Sequence, residues 1–266
     1  MQTEIKLGLF VMKILLTNDD GVFAEGIRVL ADALKTEHTL TVSAPERENS
    51  CVSRSMTLFS PLRANRVTIP GLDEVPAYAV SGTPVDCVRL GLGNLFPKPD
   101  LVISGINIGP NIGTDVLYSG TVGAAHEAAM LGVQAIAISG GSYHPKHLDT
   151  AAIAAKWGIR YLQKNPLPWG TVLNINVPDL PIEEIRGIVP APSGIISYEL
   201  TFVEREDPAG KPYYWPPRGR KNELVNGKTD EEMSQGGYIT VTPLGYDLTN
   251  YELLNRMELP KLQQAD

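Results

Sequence analysis

Two cysteines, Cys51 and Cys87, and four histidines are all that this 266-residue chain offers for thiol chemistry or soft-metal binding. The thiols are too few for a disulfide framework and lack the spacing of a zinc or thioredoxin-type motif, so a reducing, cytoplasmic setting is expected. Positive charge is scarce as well. The 23 Lys and Arg against 30 Asp and Glu give a formal charge of −7, which argues against a nucleic-acid surface or a membrane-binding surface. No apolar run is long enough for a membrane span. The stretch up to Val11 is interrupted by Lys6, with Lys13 just beyond, and no small-residue cleavage site follows. Residues 1–11 read as a short extension ahead of a first strand that begins after Met12. Three catalytic signatures are also absent: a Gly-x-Ser-x-Gly elbow, a Gly-x-x-x-x-Gly-Lys-Ser/Thr loop, and a Gly-x-Gly-x-x-Gly after the first strand. Serine hydrolases, P-loop NTPases and dinucleotide dehydrogenases are set aside accordingly.

With 43% hydrophobic and 20% charged residues, the chain can bury a full core as one large domain or one domain with an appendage. The apolar run 13–18 reads as a buried strand, and Ile27, Val29, Leu30, Ala33 and Leu34 fall close to helical spacing. Leu40–Ala44 reads as a second strand stopped by Pro45. A further strand ends at Val80. Thr83 then caps a helix with Pro84 in its first turn, running to about Leu95. Asp100–Ile106, Val133–Ser139 and Thr171–Val177 read as strands, Thr121–Leu131 as an Ala-rich helix closed by Gly132, and Leu148–Gln163 as an amphipathic helix. This alternation predicts an α/β fold, a Rossmann-like three-layer sandwich with a mostly parallel sheet and helices on both faces.

From about Arg186 helical periodicity stops, and Pro, Gly, aromatics and charges crowd residues 199–237. That segment has no core of its own and reads as a projecting hairpin or arm, in which Tyr213, Tyr214 and Trp215 are expected to bury against something. The expected division is a catalytic core over 12–190 and a C-terminal extension over 191–266. The extension comprises the arm, a strand at Tyr238–Thr242, and a terminal helix over Tyr246–Leu259 returning to the core.

Candidate chemistry sits where the strands end. Asp19 and Asp20 follow the first strand directly, and Gly21 allows the chain to bend so that both acids face one site. Neighbouring anions repel, and a divalent cation relieves that repulsion; a polar turn with a helix N-cap is the alternative reading. The segment Ser104–Gly113 is rich in Gly and Asn, which suits close backbone approach to a ligand and neutral oxygen donors for a hard cation. Ser119, Gly120 and Thr121 open the Ala-rich helix, where backbone N–H groups and two hydroxyls would hold an anion, although an ordinary N-cap uses the same residues. His126 reads as a packed or paired residue, and His144 and His147 as loop residues.

The combination of Lys13–Gly21, Ala44-Pro45 followed by Ser50, Ser81–Val88, Ser104–Asn107 and Ser119–Thr121, in that order, resembles the SurE family of survival-protein nucleotidases. The likeness runs from Met12 to about Val177, and Gly237–Leu244 fits a later strand of the family. The resemblance implies a divalent-metal-dependent phosphatase acting on nucleoside 5′-monophosphates, in some members also on 3′-monophosphates and short polyphosphate. It maps one cation per subunit, Mg²⁺ or Mn²⁺, onto Asp19, Asp20, Ser50 and Asn107, and phosphate binding onto Asn111, Ser119, Gly120 and Thr121. All four cation ligands offer oxygen, which favours these ions over zinc. It further implies dimers or tetramers formed through C-terminal arms. One departure is Cys51, which stands where family members commonly carry Gly or another small residue after the ligand serine.

On these residues the attacking water is activated by the cation or deprotonated by an aspartate; the first is favoured, because a carboxylate bound to a cation is a poorer base. An aspartyl-phosphate mechanism needs Asp-x-Asp, and Gly21 occupies the second acid's position. A nucleotide sensor without turnover is the reading from another class. A nucleobase would stack on the Phe23 loop or on the aromatic arm of another subunit.

Overall fold

Each apolar run that ends in Asn, Asp, Ser or Gly becomes a strand, and each stretch of helical spacing between them becomes a crossover helix. The computed structural model describes residues 10–216, 220–223 and 228–259. Residues 1–9 of the expected extension, and 217–219 and 224–227 of the expected arm, lie outside these. In chain order the core consists of β1 (Lys13–Thr17), α1 (Glu25–Leu34), β2 (Thr39–Pro45), β3 (Ala64–Val67), β4 (Ala77–Val80), α2 (Pro84–Leu90), β5 (Leu101–Asn107), α3 (Gly120–Met130), β6 (Gln134–Gly140), α4 (Leu148–Lys164) and β7 (Thr171–Val177). There follow β8 (Ile188–Pro190), β9 (Ile195–Tyr198), β10 (Val203–Glu206), β11 (Pro212–Trp215), β12 (Arg220–Glu223), α5 (Asp230–Gln235), β13 (Ile239–Gly245) and α6 (Tyr251–Leu254).

Among the described residues, nine strands form the main sheet in the order β3-β4-β2-β1-β5-β6-β7-β13-β8. The run from β4 to β7 is parallel throughout; β3 joins β4 antiparallel at one edge and β13 joins β7 antiparallel near the other. Helices α1 and α4 pack together on one face, and α2 and α3 on the other, giving the three-layer α/β/α sandwich. The chain leaves β1 for β2 on one side and later places β5 on the other. The β1/β5 crevice is therefore a topological switch point, where ligands bind in such sheets.

Local chemistry fixes the helix ends. Thr83 accepts the Asp86 N–H at 3.2 Å while Asp86 Oδ2 accepts the Thr83 N–H at 2.9 Å, a reciprocal capping box with Pro84 at the first position. The cap reading of Ser81–Pro84 therefore holds. The helix expected to continue to about Leu95 does so in a different form, since Gly91–Leu95 is a π-helical turn. Thr229 and Glu232 make a second capping box at α5, which lies inside the expected arm but packs on β13. The projecting part is smaller, a hairpin of β10 and β11, while β9 pairs with β12. Tyr213, Tyr214 and Trp215 on that hairpin are exposed in the single chain.

The terminal helix expected over 246–259 is confined to the single turn of α6. The Asp247 carboxylate accepts the Thr249 N–H at 2.9 Å, and Asn250 caps the Leu253 N–H at 2.9 Å, so turn-forming residues delay the helix, and Tyr251, Leu253 and Leu254 on it are exposed among the described residues.

Helix α3 is buried almost all round, and His126 within it is 3% exposed. The Arg54 guanidinium donates to His126 Nδ1 at 3.0 Å, which keeps the ring neutral with its proton on Nε2. Burial, and then the Arg54 charge, push the imidazole down to about 4 from its ordinary 6.5. The folded-state value lies below the unfolded one, so this contribution is whole above pH 6.5 and is lost as pH falls toward 4. The expected loss is on the order of 3 kcal/mol, and a His126→Gln variant should show a flatter decline of unfolding free energy over that window. Parallel slopes for the two proteins in urea titrations at stepped pH would contradict this.

Close packing of α1 on β5 gives a second expectation. A Cβ at Gly26 would lie 1.9 Å from the Ile106 carbonyl oxygen. Gly26→Ala must push the helix off the strand end, costing about 2 kcal/mol or more and lowering the thermal midpoint by roughly 5 °C. An unchanged midpoint by differential scanning calorimetry would show that the contact yields freely.

Candidate active site

The reversal after β1 is built by Asn18, which is fully buried. Its amide nitrogen donates to the Gly21 carbonyl at 2.9 Å, and its Oδ1 accepts the Gly21 N–H at 3.2 Å, with Gly21 at φ +107°. A side chain at Gly21 would be strained, so the turn that presents Asp19 and Asp20 depends on this glycine. Asp19 is 4% exposed; its carbonyl accepts the Asn49 N–H at 2.7 Å, which ties the loop carrying Ser50 to the acid pair. Asp20 is half-buried, and its Oδ2 accepts the Ile108 N–H at 3.2 Å.

Asn107 arrives from the neighbouring strand. A register shift between Ser104 and Asn107 interrupts the β5/β6 ladder and sets Asn107 beside Ser139. The Asn107 amide nitrogen donates to the Gly109 carbonyl at 2.8 Å, so its Oδ1 is turned toward Thr121 Oγ1, 3.1 Å away. Thr121 donates its hydroxyl hydrogen to Asp19 Oδ1. Oxygens of Asp19, Asn107 and Thr121 thus converge around a single hydroxyl hydrogen. An oxygen-rich, hydrogen-poor cluster of this kind suits a hard divalent cation.

Among the described residues no group of three or more His, Cys, Asp and Glu is placed to hold a metal, so any cation here relies on two carboxylates and neutral oxygens. The fit is to an oxygen-seeking ion. Ser50 lines the same cleft as Asp19 and Asn107, but its hydroxyl donates to Glu48 Oε1 at 2.7 Å. Burial raises the Asp19 carboxyl above its ordinary range, opposed chiefly by the Thr121 hydroxyl. Burial first, and Asp19 second, lift Asp20 to about 7. Glu48 adds repulsion to both, a contribution that sequence reasoning missed.

The asparagine-rich loop is held from beneath by β6 and β7. Asn111 donates its N–H to Asn176 Oδ1 at 2.8 Å and its side-chain nitrogen to Ser139 Oγ at 2.8 Å, while Asn174 and Asn176 both donate to the Asn111 carbonyl. The sequence signal of these three supporting residues is an amide or hydroxyl group inside an otherwise apolar strand. Ser139, Asn174 and Asn176 are fully buried. Ser119 caps α3 by accepting the Val122 N–H at 3.1 Å, and it keeps its own hydrogen to donate. Gly120 allows close contact, since a Cβ there would lie 2.8 Å from Asp19 Cβ.

A cleft of about 420 Å³ opens above this floor, with Asp19, Ser50, Asn107, Asn111 and Ser119 along it, together with Tyr118, Tyr143 and Tyr198. Gly120 and Thr121 stand behind that lining and are buried, and Cys51 shares the rim with Ser50. The tyrosines come from three separate chain stretches, and no local motif marks them. Tyr198 donates to Asp115, and the Tyr143 ring lies against Gly109. Phe23, expected near a base, is exposed and does not line the cleft. His144 and His147 belong to no metal-binding cluster among the described residues.

Comparison with known proteins places nearly the whole chain beside one family. The family model described as Survival protein SurE matches residues 14–199. A 5′-nucleotidase SurE of Carboxydothermus hydrogenoformans is 47% identical over 254 residues, covering 93% of this chain and 95% of that protein. A 5′-nucleotidase SurE of Legionella pneumophila is 45% identical over 248 residues, covering 92% and 96%. The crystal structure of the SurE protein from Aquifex aeolicus superimposes with a TM-score of 0.77 at 36% identity, covering 92% of this chain and 98% of that one. The chain belongs to the SurE family of survival proteins.

Proposed function

We propose that the chain is a divalent-metal-dependent 5′-nucleotidase that hydrolyses nucleoside monophosphates to nucleoside and inorganic phosphate. The observation that carries this is the convergence of the Asp19, Asn107 and Thr121 oxygens at the floor of a tyrosine-lined cleft. The names of the relatives support the same activity. Asp19, Asp20 and Asn107, with Ser50 at the rim, would hold one Mg²⁺ or Mn²⁺ per subunit. Bound there, the ion would supply Lewis-acid neutralisation of the phosphoryl oxygens.

The remaining work falls to the chain's own groups. Asn111, the Ser119 hydroxyl and the Gly120 N–H would hold non-bridging oxygens and align phosphorus for attack. Water adds to phosphorus, the ester P–O bond breaks, and the leaving oxygen departs with the nucleoside and a proton. Tyr143 and Tyr198 offer flat faces for a nucleobase, which favours nucleotides over small phosphate esters. Because the floor grips only the phosphoryl group, 3′-monophosphates and short polyphosphate are further substrates under this reading. No helix among the described residues is long and apolar enough to cross a membrane, and a cytoplasmic setting goes with the paucity of thiols. The exposed aromatics of the β10–β11 hairpin would be covered by a second copy in a dimer or tetramer.

Phosphate release from AMP in the presence of Mn²⁺, abolished by a chelator and restored by added Mn²⁺, tests the activity. AMP binding without release would instead establish the sensor reading. Asp19→Asn should lower kcat by about a thousandfold while the circular dichroism spectrum is unchanged; a fully active variant would remove Asp19 from the site. Tyr143→Ala and Tyr198→Ala should each raise KM for AMP by roughly tenfold with little effect on ribose 5-phosphate. Equal losses on both substrates would show that these rings serve the fold and not the base.

A further inference from the structure

We infer that Thr121 positions the cation-binding oxygens and does not itself grip the substrate phosphate. The inference rests on the nucleotidase reading above and refines it, because the family resemblance places Thr121 among the phosphate-binding positions. Three observations separate Thr121 from Ser119 and Asn111. Its side chain is fully buried, whereas those two reach the cleft lining. Its hydroxyl donates to Asp19 Oδ1. Its oxygen lies 3.1 Å from Asn107 Oδ1, so it touches the ends of both switch-point strands.

A phosphate oxygen needs a donor hydrogen, and the one on the Thr121 hydroxyl is already engaged by the Asp19 and Asn107 oxygens. What Thr121 can do is fix the carboxylate's rotation. A β-branched side chain in the first turn of a helix has few χ1 choices, so the hydroxyl sits at one place relative to α3. Buried α3 is in turn packed against β5 and β6. The hydroxyl transmits that rigidity to Asp19 and spaces Asn107 from it. Residues of this kind, which orient a ligand through a hydrogen bond, are typically worth 10- to 100-fold in metal affinity.

The test compares Thr121→Val, which keeps the shape and removes the hydrogen, with Thr121→Ser, which keeps the hydroxyl, and with Ser119→Ala. Mn²⁺ alone is titrated into each protein by calorimetry, and inorganic phosphate inhibition is measured at saturating Mn²⁺. Thr121→Val should weaken Mn²⁺ binding by about 10- to 100-fold and leave phosphate inhibition unchanged, and Thr121→Ser should restore most of the affinity. Ser119→Ala should show the reverse pattern. Unchanged Mn²⁺ affinity in Thr121→Val, or weakened phosphate inhibition at saturating Mn²⁺, would overturn the assignment, as would equal loss in the serine and valine variants. Thr121→Ala takes the place of valine if thermal melting shows that the valine variant does not fold. Failure of the unmodified protein to bind Mn²⁺ would overturn the nucleotidase reading and this refinement with it, an outcome distinct from retained binding in the variant.

Discussion

Repulsion between two adjacent, poorly hydrated carboxylates is the constraint around which the rest of the crevice is arranged. Asp19 and Asp20 follow one another at a strand end, and both are raised above the ordinary carboxylate range by burial. A protein tolerates such a pair only with compensating hydrogen bonds or a cation. The hydrogen bonds are visible: Thr121 to Asp19, and the Ile108 N–H to Asp20. One donor directly follows β5 and the other lies in the first turn of α3, so the groups that steady the acids flank the loop that brings Asn107 and Ser119 alongside them. Stabilising the pair and assembling the site are the same physical act.

The sheet makes this possible by topology. Because β1 and β5 are neighbours in space but distant in sequence, the loops after them diverge and leave a crevice that no crossover covers. The loop after β5 is long and polar, and its backbone needs partners. Asn174 and Asn176 on β7, with Ser139 on β6, supply them through Asn111. Each of these is a polar group in an otherwise apolar strand, and each would be a cost to the core if the loop were elsewhere. Core composition and loop position are therefore coupled.

That coupling explains what could be read from the residues alone. Strands β1, β2, β5, β6 and β7 are apolar runs with polar ends, helices α1 and α4 have helical apolar spacing, and α3 is marked by its Ala content and closing Gly132, so local signals suffice for them. Edge strands β3 and β8 are short, and their pairing depends on neighbours that local pattern does not reveal. The capping box at Thr229–Glu232 is present as a motif, yet Pro and Gly crowd the segment before it, so α5 and its packing on β13 are not read from the residues alone. Among site residues, the acid pair, Asn107 and Ser119 stand at strand and helix ends and are legible by position, whereas Asn111 sits within the Gly- and Asn-rich loop and is singled out only by the family resemblance. The three tyrosines are not legible, because only tertiary packing brings positions 118, 143 and 198 to one cleft. Glu48 escaped notice for a related reason. An exposed acid in a charged loop carries no mark of its proximity to Asp19.

The tyrosine at position 198 also shows why the C-terminal segment cannot be regarded as an independent appendage. Thr114 donates to the Ile196 carbonyl and accepts the Ile196 N–H, fastening β9 to the loop that follows Asn111. Buried Asp230 accepts from Gly113 and from Gly194, closing the same junction from the side of α5. Removing the Asp230 carboxylate would strip its bond from three buried N–H groups, those of Gly113, Gly194 and Glu231, so its burial is compensated by the order it imposes. The wall of the cleft at Tyr198 is thereby rigidly referred to the loop that carries Asn111, although the two are far apart in sequence. The root of the hairpin and the Tyr198 wall of the cleft are one packed unit, and the shape of that end of the cleft is set by the same contacts that anchor β9 and α5 to the loop after β5.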